Sequence, residues 1–120
     1  MKSGISRSFS CALAGVAYTV KGQRNMKIHC LAAIVSVMMG IGTAISPVEW
    51  LILVLTISAV LIAELFNTAV ESVVDLVTAE YHDLAKAAKD VAAGAVLIAA
   101  ASSVIIGSVI FLPKAERLLW

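Results

Sequence analysis

The sequence predicts an all-α integral membrane protein, with three transmembrane helices preceded by an amphipathic surface helix. The chain of 120 residues is 61% hydrophobic and only 14% charged, and its mean hydropathy is +0.99. A soluble domain carries roughly a quarter charged residues, so these side chains are too few to cover an apolar chain with a polar surface. The charges also cluster and leave long charge-free runs between them. A single membrane-embedded domain over residues 1–120 is therefore expected. The net charge of +1 excludes an overall basic nucleic-acid-binding protein.

The first element, residues 1–27, has the pattern of an amphipathic helix on the membrane surface. Basic residues recur through this segment as far as Lys27, unlike the single basic cluster at the start of a signal peptide. Its larger apolar residues recur at helical spacing: Ile5, Phe9, Leu13, Val16 and Val20. A helix with one apolar face lies along the membrane interface.

Charge-free intervals locate the three spans. Residues 28–48 and 91–113 hold 21 and 23 residues without a formal charge, enough for the ~20 residues that cross the hydrocarbon core. The interval 50–63 holds only 14, but neither Gly nor Pro follows in 64–77, so the helix is expected to continue past Glu64. The predicted spans are about 28–46, 49–77 and 91–112.

The turn and the charges give the topology. The connection after the first span contains Gly40, Gly42, Ser46 and Pro47, which fits a tight turn with the proline near a helix start. Five basic residues and no acidic residue precede residue 28. Because positive charge favours the cytoplasmic side, we expect the N-terminus and residues 64–90 to be cytoplasmic and Trp120 to be outside.

Six of the eight acidic residues lie within residues 64–90. On a helix that turns about 100° per residue, Glu71 and Asp75 lie about 20° to either side of Glu64, and Asn67 flanks the same face. A carboxylate at the lipid boundary is costly, and like charges on one face repel. One interpretation is a solvated polar face. The other is a site at the membrane–water boundary that binds divalent cations or moves protons.

Basic residues follow the acidic face within the same cytoplasmic segment. Lys86 and Lys89 lie close to His82 and Asp90, and carboxylates with lysines suit a metal-bound polyphosphate. The alternative for the lysines is ordinary anchoring at the cytoplasmic interface. The competing functional hypothesis is a small oligomeric proton- or cation-coupled membrane transport subunit that uses Glu64 or Glu71. The glycines form neither GxxxxGK[ST] nor GxGxxG.

The stretch AELFNTAVESVVDLVTAEYHDLAKAAKDVAAGAVLIAA, residues 63–100, resembles the signature of the prokaryotic diacylglycerol kinase family. The runs QRNMKIH at 23–29 and FLPK at 111–114 are similar to its undecaprenol kinase branch. The resemblance implies a homotrimeric enzyme of the bacterial inner membrane with a cytoplasmic N-terminus. It also implies ATP- and Mg²⁺-dependent phosphorylation of a lipid hydroxyl, with undecaprenol and diacylglycerol both open as the acceptor.

The resemblance also implies roles for individual residues. Glu64 matches the general base, and Glu71 matches a carboxylate that holds the metal. Gln23 stands where the family often has a second metal-binding glutamate, so a neutral oxygen replaces a charged one. The implied nucleotide-binding residues are Arg7, Glu71, Glu80, Tyr81, His82, Lys89 and Asp90. The implied supporting residues are Asn67 and Asp75.

Overall fold

The computed structural model describes residues 4–119, which form four helices and no strand. The helices are α1 (Gly4–Gly22), α2 (Arg24–Gly42), α3 (Pro47–Val77) and α4 (Asp83–Leu119). The last three are long and apolar enough to cross a membrane. The all-α class with three candidate spans is thus confirmed, while the surface position of α1 and the homotrimer stay predictions. Residues 1–3 of the predicted surface helix and Trp120 lie outside the described residues.

The junction between α1 and α2 falls at Gln23, four residues before the expected end of the surface segment at 27. Gln23 has an extended backbone, with φ −113° and ψ 119°, and it follows Gly22, a poor helix former. The backbone N–H of Gln23 still donates to the carbonyl oxygen of Thr19 at 3.0 Å. Residues 24–27 therefore begin α2, and Met26 is buried there.

The turn between α2 and α3 confirms the predicted tight connection with Pro47 at a helix start. Ser46 is the N-cap of α3 and Pro47 its first helical residue. The Ser46 hydroxyl accepts from the Glu49 N–H at 3.2 Å, and the Glu49 carboxylate accepts from the Ser46 N–H at 3.0 Å. This reciprocal capping box satisfies two backbone donors at the end of the helix. It explains why the new helix begins at residue 47.

Helix α3 has 31 residues and continues without interruption past Glu64 to Val77, as predicted. At 1.5 Å per residue it is about 46 Å long, which exceeds the ~30 Å of hydrocarbon. Glu64 lies about 26 Å along the axis from Pro47, and therefore near the far boundary of the hydrocarbon. Helix α4 is longer, with 37 residues, and extends beyond the predicted span 91–112 at both ends.

The best-packed part of the chain lies near the α2–α3 turn, which we call the outer end. Ile45, Leu53 and Ile110 are buried there, with Trp50 and Phe111 packed against them. Lys114 of α4 reaches the Glu49 carboxylate at 2.7 Å and closes the outer end. Most other large apolar side chains are exposed along the spans. Such exposure suits helices whose surroundings are lipid or another protein chain.

Candidate functional site

Glu64 is the buried acidic residue of the described chain, with only 2% of its surface exposed. Its Oε2 atom is buried and has no hydrogen-bond partner. The Thr68 hydroxyl, one turn further along α3, donates to the Glu64 carbonyl oxygen at 3.0 Å and leaves the carboxylate free. Removing an unpaired carboxylate from water costs several kcal/mol. A group kept in this state is suited to receive a proton or a cation from a ligand.

Asn67 and Glu71 continue the same face of α3 from Glu64. The Asn67 amide nitrogen donates to Glu71 Oε1 at 3.4 Å, while Asn67 Oδ1 is buried without a partner. Glu71 is half-buried. The face thus presents the unpaired Oε2 of Glu64, the unpaired Oδ1 of Asn67 and the carboxylate of Glu71 within two helical turns. Because all are oxygen ligands, this donor set suits a hard cation.

A polar cleft of about 430 Å³ opens between the end of α3 and the start of α4. Its lining consists of Val74, Asp75, Thr78, Ala79, Glu80, Tyr81, His82, Ala85, Lys86, Lys89 and Asp90. The loop from 78 to 82 forms one wall. The Thr78 hydroxyl accepts from the Glu80 N–H at 3.2 Å, and His82 Nδ1 accepts from the Leu84 N–H at 3.1 Å. These local bonds fix the loop where α4 begins.

One ion pair connects the two helices beside this cleft. Lys89 Nζ donates to Asp75 Oδ1 at 2.7 Å. The hydrogen bond to Asp75 raises the pKa of Lys89, which lies outside the predicted span 91–112. Desolvation opposes the shift, and the charges of Asp75 and Glu71 add to it. Glu71 is therefore close enough to Lys89 for an electrostatic interaction, which links the α3 face to the cleft.

The structure brings together most of the predicted site residues, but not all of them. Those that line the cleft are Asp75, Glu80, Tyr81, His82, Lys89 and Asp90. Glu64, Asn67 and Glu71 lie on α3, between the cleft and the apolar half of that helix. Gln23 and Arg7 do not line the cleft; Gln23 is half-buried at the helix break and Arg7 is exposed on α1. The roles of all eleven residues stay predictions.

Two threonines near Glu64 and the cleft were missed as candidates from the sequence. Thr19 of α1 is buried and lines a cleft between α1 and α3 together with Thr68. Thr78 fixes the loop beside Glu80. Thr19 lies in an otherwise apolar run, where a hydroxyl that bonds its own helix is common. The short polar connection after Val77 could have singled out Thr78 as a helix-ending residue.

The residues present fit a magnesium ion that is shared with a substrate. No three His, Cys, Asp or Glu side chains converge on one point within residues 4–119, so a closed all-carboxylate site is not formed there. Mg²⁺ is usually held by one or two carboxylates together with substrate phosphates. The Glu71 carboxylate and the unpaired Asn67 Oδ1 meet that description.

Comparison with known proteins gives a consistent result. The family model "Prokaryotic diacylglycerol kinase" matches residues 10–111. An undecaprenol kinase of Bacillus subtilis (strain 168) is 46% identical over 108 residues, covering 90% of this chain and 88% of that protein. A diacylglycerol kinase of Synechocystis sp. is 46% identical over 113 residues, covering 93% of this chain and 65% of that protein. A diacylglycerol kinase of Escherichia coli (strain K12) is 31% identical over 104 residues, covering 81% of this chain and 85% of that protein.

Proposed function

This chain belongs to the prokaryotic diacylglycerol kinase family, and we propose that it is a lipid kinase of the bacterial inner membrane. It transfers the γ-phosphoryl group of ATP to the hydroxyl of a membrane lipid, undecaprenol or diacylglycerol, at the cytoplasmic interface. The observation that carries this proposal is the buried Glu64 carboxylate, whose Oε2 has no partner. Glu64 lies on α3 between the apolar half of that helix and the cleft that Lys86 and Lys89 line.

Glu64 acts as the general base in this mechanism. Its position about 26 Å along α3 corresponds to the depth of a lipid headgroup. The unpaired Oε2 accepts the proton of the lipid hydroxyl as the hydroxyl oxygen attacks the γ-phosphorus. The bond from that phosphorus to the bridging oxygen of ADP then breaks, in line with the attack.

Glu71 and Asn67 hold Mg²⁺ and the cleft holds the nucleotide. When bound, Mg²⁺ offsets negative charge on the ATP phosphates. Lys89 and Lys86 line the cleft and provide ammonium groups for the phosphate oxygens. Tyr81 is 77% exposed beside them and offers an aromatic face on which a base can stack. Glu80, His82 and Asp90 complete the polar lining.

The active enzyme is proposed to be a homotrimer with its N-terminus in the cytoplasm. One observation supports assembly: most large apolar side chains of the spans are exposed, and further copies of the chain can cover them. Gln23 and Arg7 do not line the cleft of their own chain. In a trimer they can approach the site of an adjacent chain, and their proposed metal and nucleotide contacts are made there.

A proton- or cation-coupled transport subunit is the alternative function. A buried, unpaired Glu64 fits it equally well. It gives no role to Lys86, Lys89 and the loop residues that line a cleft outside the predicted spans. The kinase hypothesis gives a role both to Glu64 and to the residues of the cleft, and the family's curated relatives are named as kinases.

The decisive experiment is a phosphorylation assay on purified protein in detergent, with undecaprenol and diacylglycerol side by side. Mg²⁺-dependent transfer of labelled phosphate to at least one lipid is expected. Glu64→Gln should abolish it, while Glu116→Gln, a carboxylate exposed near the end of α4, should not. Wild-type protein that phosphorylates neither lipid would contradict the proposal, and proton or cation flux in vesicles would then favour transport.

A further inference from the structure

Both lysines that line the cleft are paired with aspartates. Lys86 pairs with Asp90 within α4, as residues four apart on one helix commonly do. Lys89 pairs instead with Asp75 of α3 at 2.7 Å. The second pair therefore depends on how the two helices are placed at the cleft. Each ammonium group thus directs one of its three N–H donors, and much of its charge, to an aspartate.

The charges of the cleft also oppose an anion. Asp75, Glu80 and Asp90 contribute three carboxylates to the lining, whereas Lys86 and Lys89 contribute two ammonium groups. The excess of negative charge repels a polyphosphate. A lysine that changes partner from a carboxylate to a phosphate group directs more of its charge to the nucleotide and favours its binding.

The Asp75–Lys89 pair is suited to such a change. The side chains of Lys89 and Asp75 are 41% and 67% exposed. Pairs this exposed contribute little to stability, because water solvates both partners when they separate. A phosphate offers Lys89 an equally strong charge-assisted hydrogen bond. The cost of breaking the pair is therefore small compared with the gain from a bound phosphate.

We propose that Asp75 competes with the nucleotide for Lys89, so that ATP binding exchanges the Asp75–Lys89 ion pair for a Lys89–phosphate contact. This inference rests on the proposed kinase function and adds a specific role for Asp75, which acts through Lys89 rather than on the reacting atoms. Asp75 thereby limits nucleotide affinity and holds Lys89 at the cleft between turnovers.

The test is the affinity for Mg·ATP, measured by direct binding to the purified full-length protein in detergent without lipid substrate. Asp75→Asn removes the competing charge and should tighten binding about 1.5- to 5-fold, the range expected for loss of an exposed ion pair. Asp75→Glu keeps the charge and should bind as the wild type does. A purely structural role for Asp75 predicts the opposite direction for Asp75→Asn, and unchanged or weaker binding overturns the exchange.

A second comparison isolates Lys89. In a Lys89→Met background, Asp75→Asn should alter the affinity much less, because the group under competition is gone. If Asp75→Asn tightens Mg·ATP binding equally in the wild type and in Lys89→Met, the effect is general charge repulsion, and the proposed exchange is overturned. Glu49→Gln, at the outer end, is the matched control and should leave nucleotide affinity unchanged. If the wild type binds ATP and phosphorylates lipid while Asp75→Asn fails to bind more tightly, this inference alone fails; if the wild type does neither, the proposed function fails.

Discussion

Two ion pairs join α3 to α4, one at each end of the bundle, and they have the same chemistry in different surroundings. Lys114–Glu49 and Lys89–Asp75 both span 2.7 Å between ammonium nitrogen and carboxylate oxygen. In the outer pair the side chains of Lys114 and Glu49 are 19% and 27% exposed. Both side chains have further partners there, since Glu49 Oε1 completes the capping box with Ser46 and Lys114 Nζ also donates to the Ile110 carbonyl oxygen.

The Lys89–Asp75 pair at the cleft has no such support. Lys89 and Asp75 line an open cleft, and their side chains make no other hydrogen bond among residues 4–119. Half-buried pairs with several partners are costly to break because each leaves an uncompensated group, whereas exposed pairs exchange readily. The comparison indicates that the pair at the outer end helps to hold α3 against α4, whereas the exposed pair at the cleft can exchange partners.

The largest expected effect lies on the cytoplasmic side. Glu64→Gln should lower kcat by about 10²–10⁴-fold, the usual contribution of a general base, with little change in Mg·ATP affinity. Glu71→Gln should weaken Mg·ATP binding as well as turnover, because it removes a carboxylate from the proposed metal site. Lipid phosphorylation rates and nucleotide binding are measured on both variants. Loss of binding in Glu64→Gln with binding retained in Glu71→Gln would reverse the two assignments.

The next effect concerns stability at the outer end. A Cβ atom at Gly40 would lie 2.8 Å from the Trp50 ring, whereas one at Gly42 would meet nothing within 4 Å. Gly40→Ala should therefore destabilise the protein by about 1–3 kcal/mol through overpacking, and Gly42→Ala is its matched control. Thermal unfolding in detergent measures both variants. Equal stability of the two would show that the outer end is not tightly packed.

The two ion pairs can be compared directly by removing the lysine of each. Lys114→Met should lower the Tm by a few degrees while leaving nucleotide affinity unchanged, because it leaves Glu49 half-buried without its cation. Lys89→Met should leave the Tm almost unchanged and weaken Mg·ATP binding, because its pair is exposed and its proposed ligand is a phosphate. Tm and nucleotide affinity are compared for the two variants. The opposite pattern would refute this difference between the two pairs.

The smallest expected effect is at Gln23. If Gln23 stands at a metal position, Gln23→Glu should lower the Mg²⁺ concentration needed for half-maximal activity, because a charged oxygen binds a hard cation more tightly. Kinase activity titrated with Mg²⁺ measures this. An unchanged Mg²⁺ dependence would mean that Gln23 is not a ligand, which would leave Glu71 and Asn67 as the proposed metal ligands.

Local patterns of the sequence predicted the long apolar helices, but not the helix break at Gln23 or the start of α4 at Asp83. The charge-free intervals gave the three spans, the residues Ser46 and Pro47 gave the start of α3, and the absence of Gly and Pro after Glu64 gave its continuation to Val77. Each of these signals acts over a few neighbouring residues, through hydrophobicity, capping or backbone preference. The face shared by Glu64 and Glu71 follows from helical periodicity alone.

Tertiary structure decided which charged residues pair with one another. Asp75 and Lys89 are 14 residues apart and Glu49 and Lys114 are 65 apart, so each pair depends on how α3 packs against α4. Tertiary packing also buries Glu64 almost completely and leaves its Oε2 unpaired, whereas the sequence predicted only that Glu64 lies at the lipid boundary. Composition and periodicity determine which residues share a face of one helix. The packing of one helix on another determines which charges meet, because that distance is not encoded in any single segment.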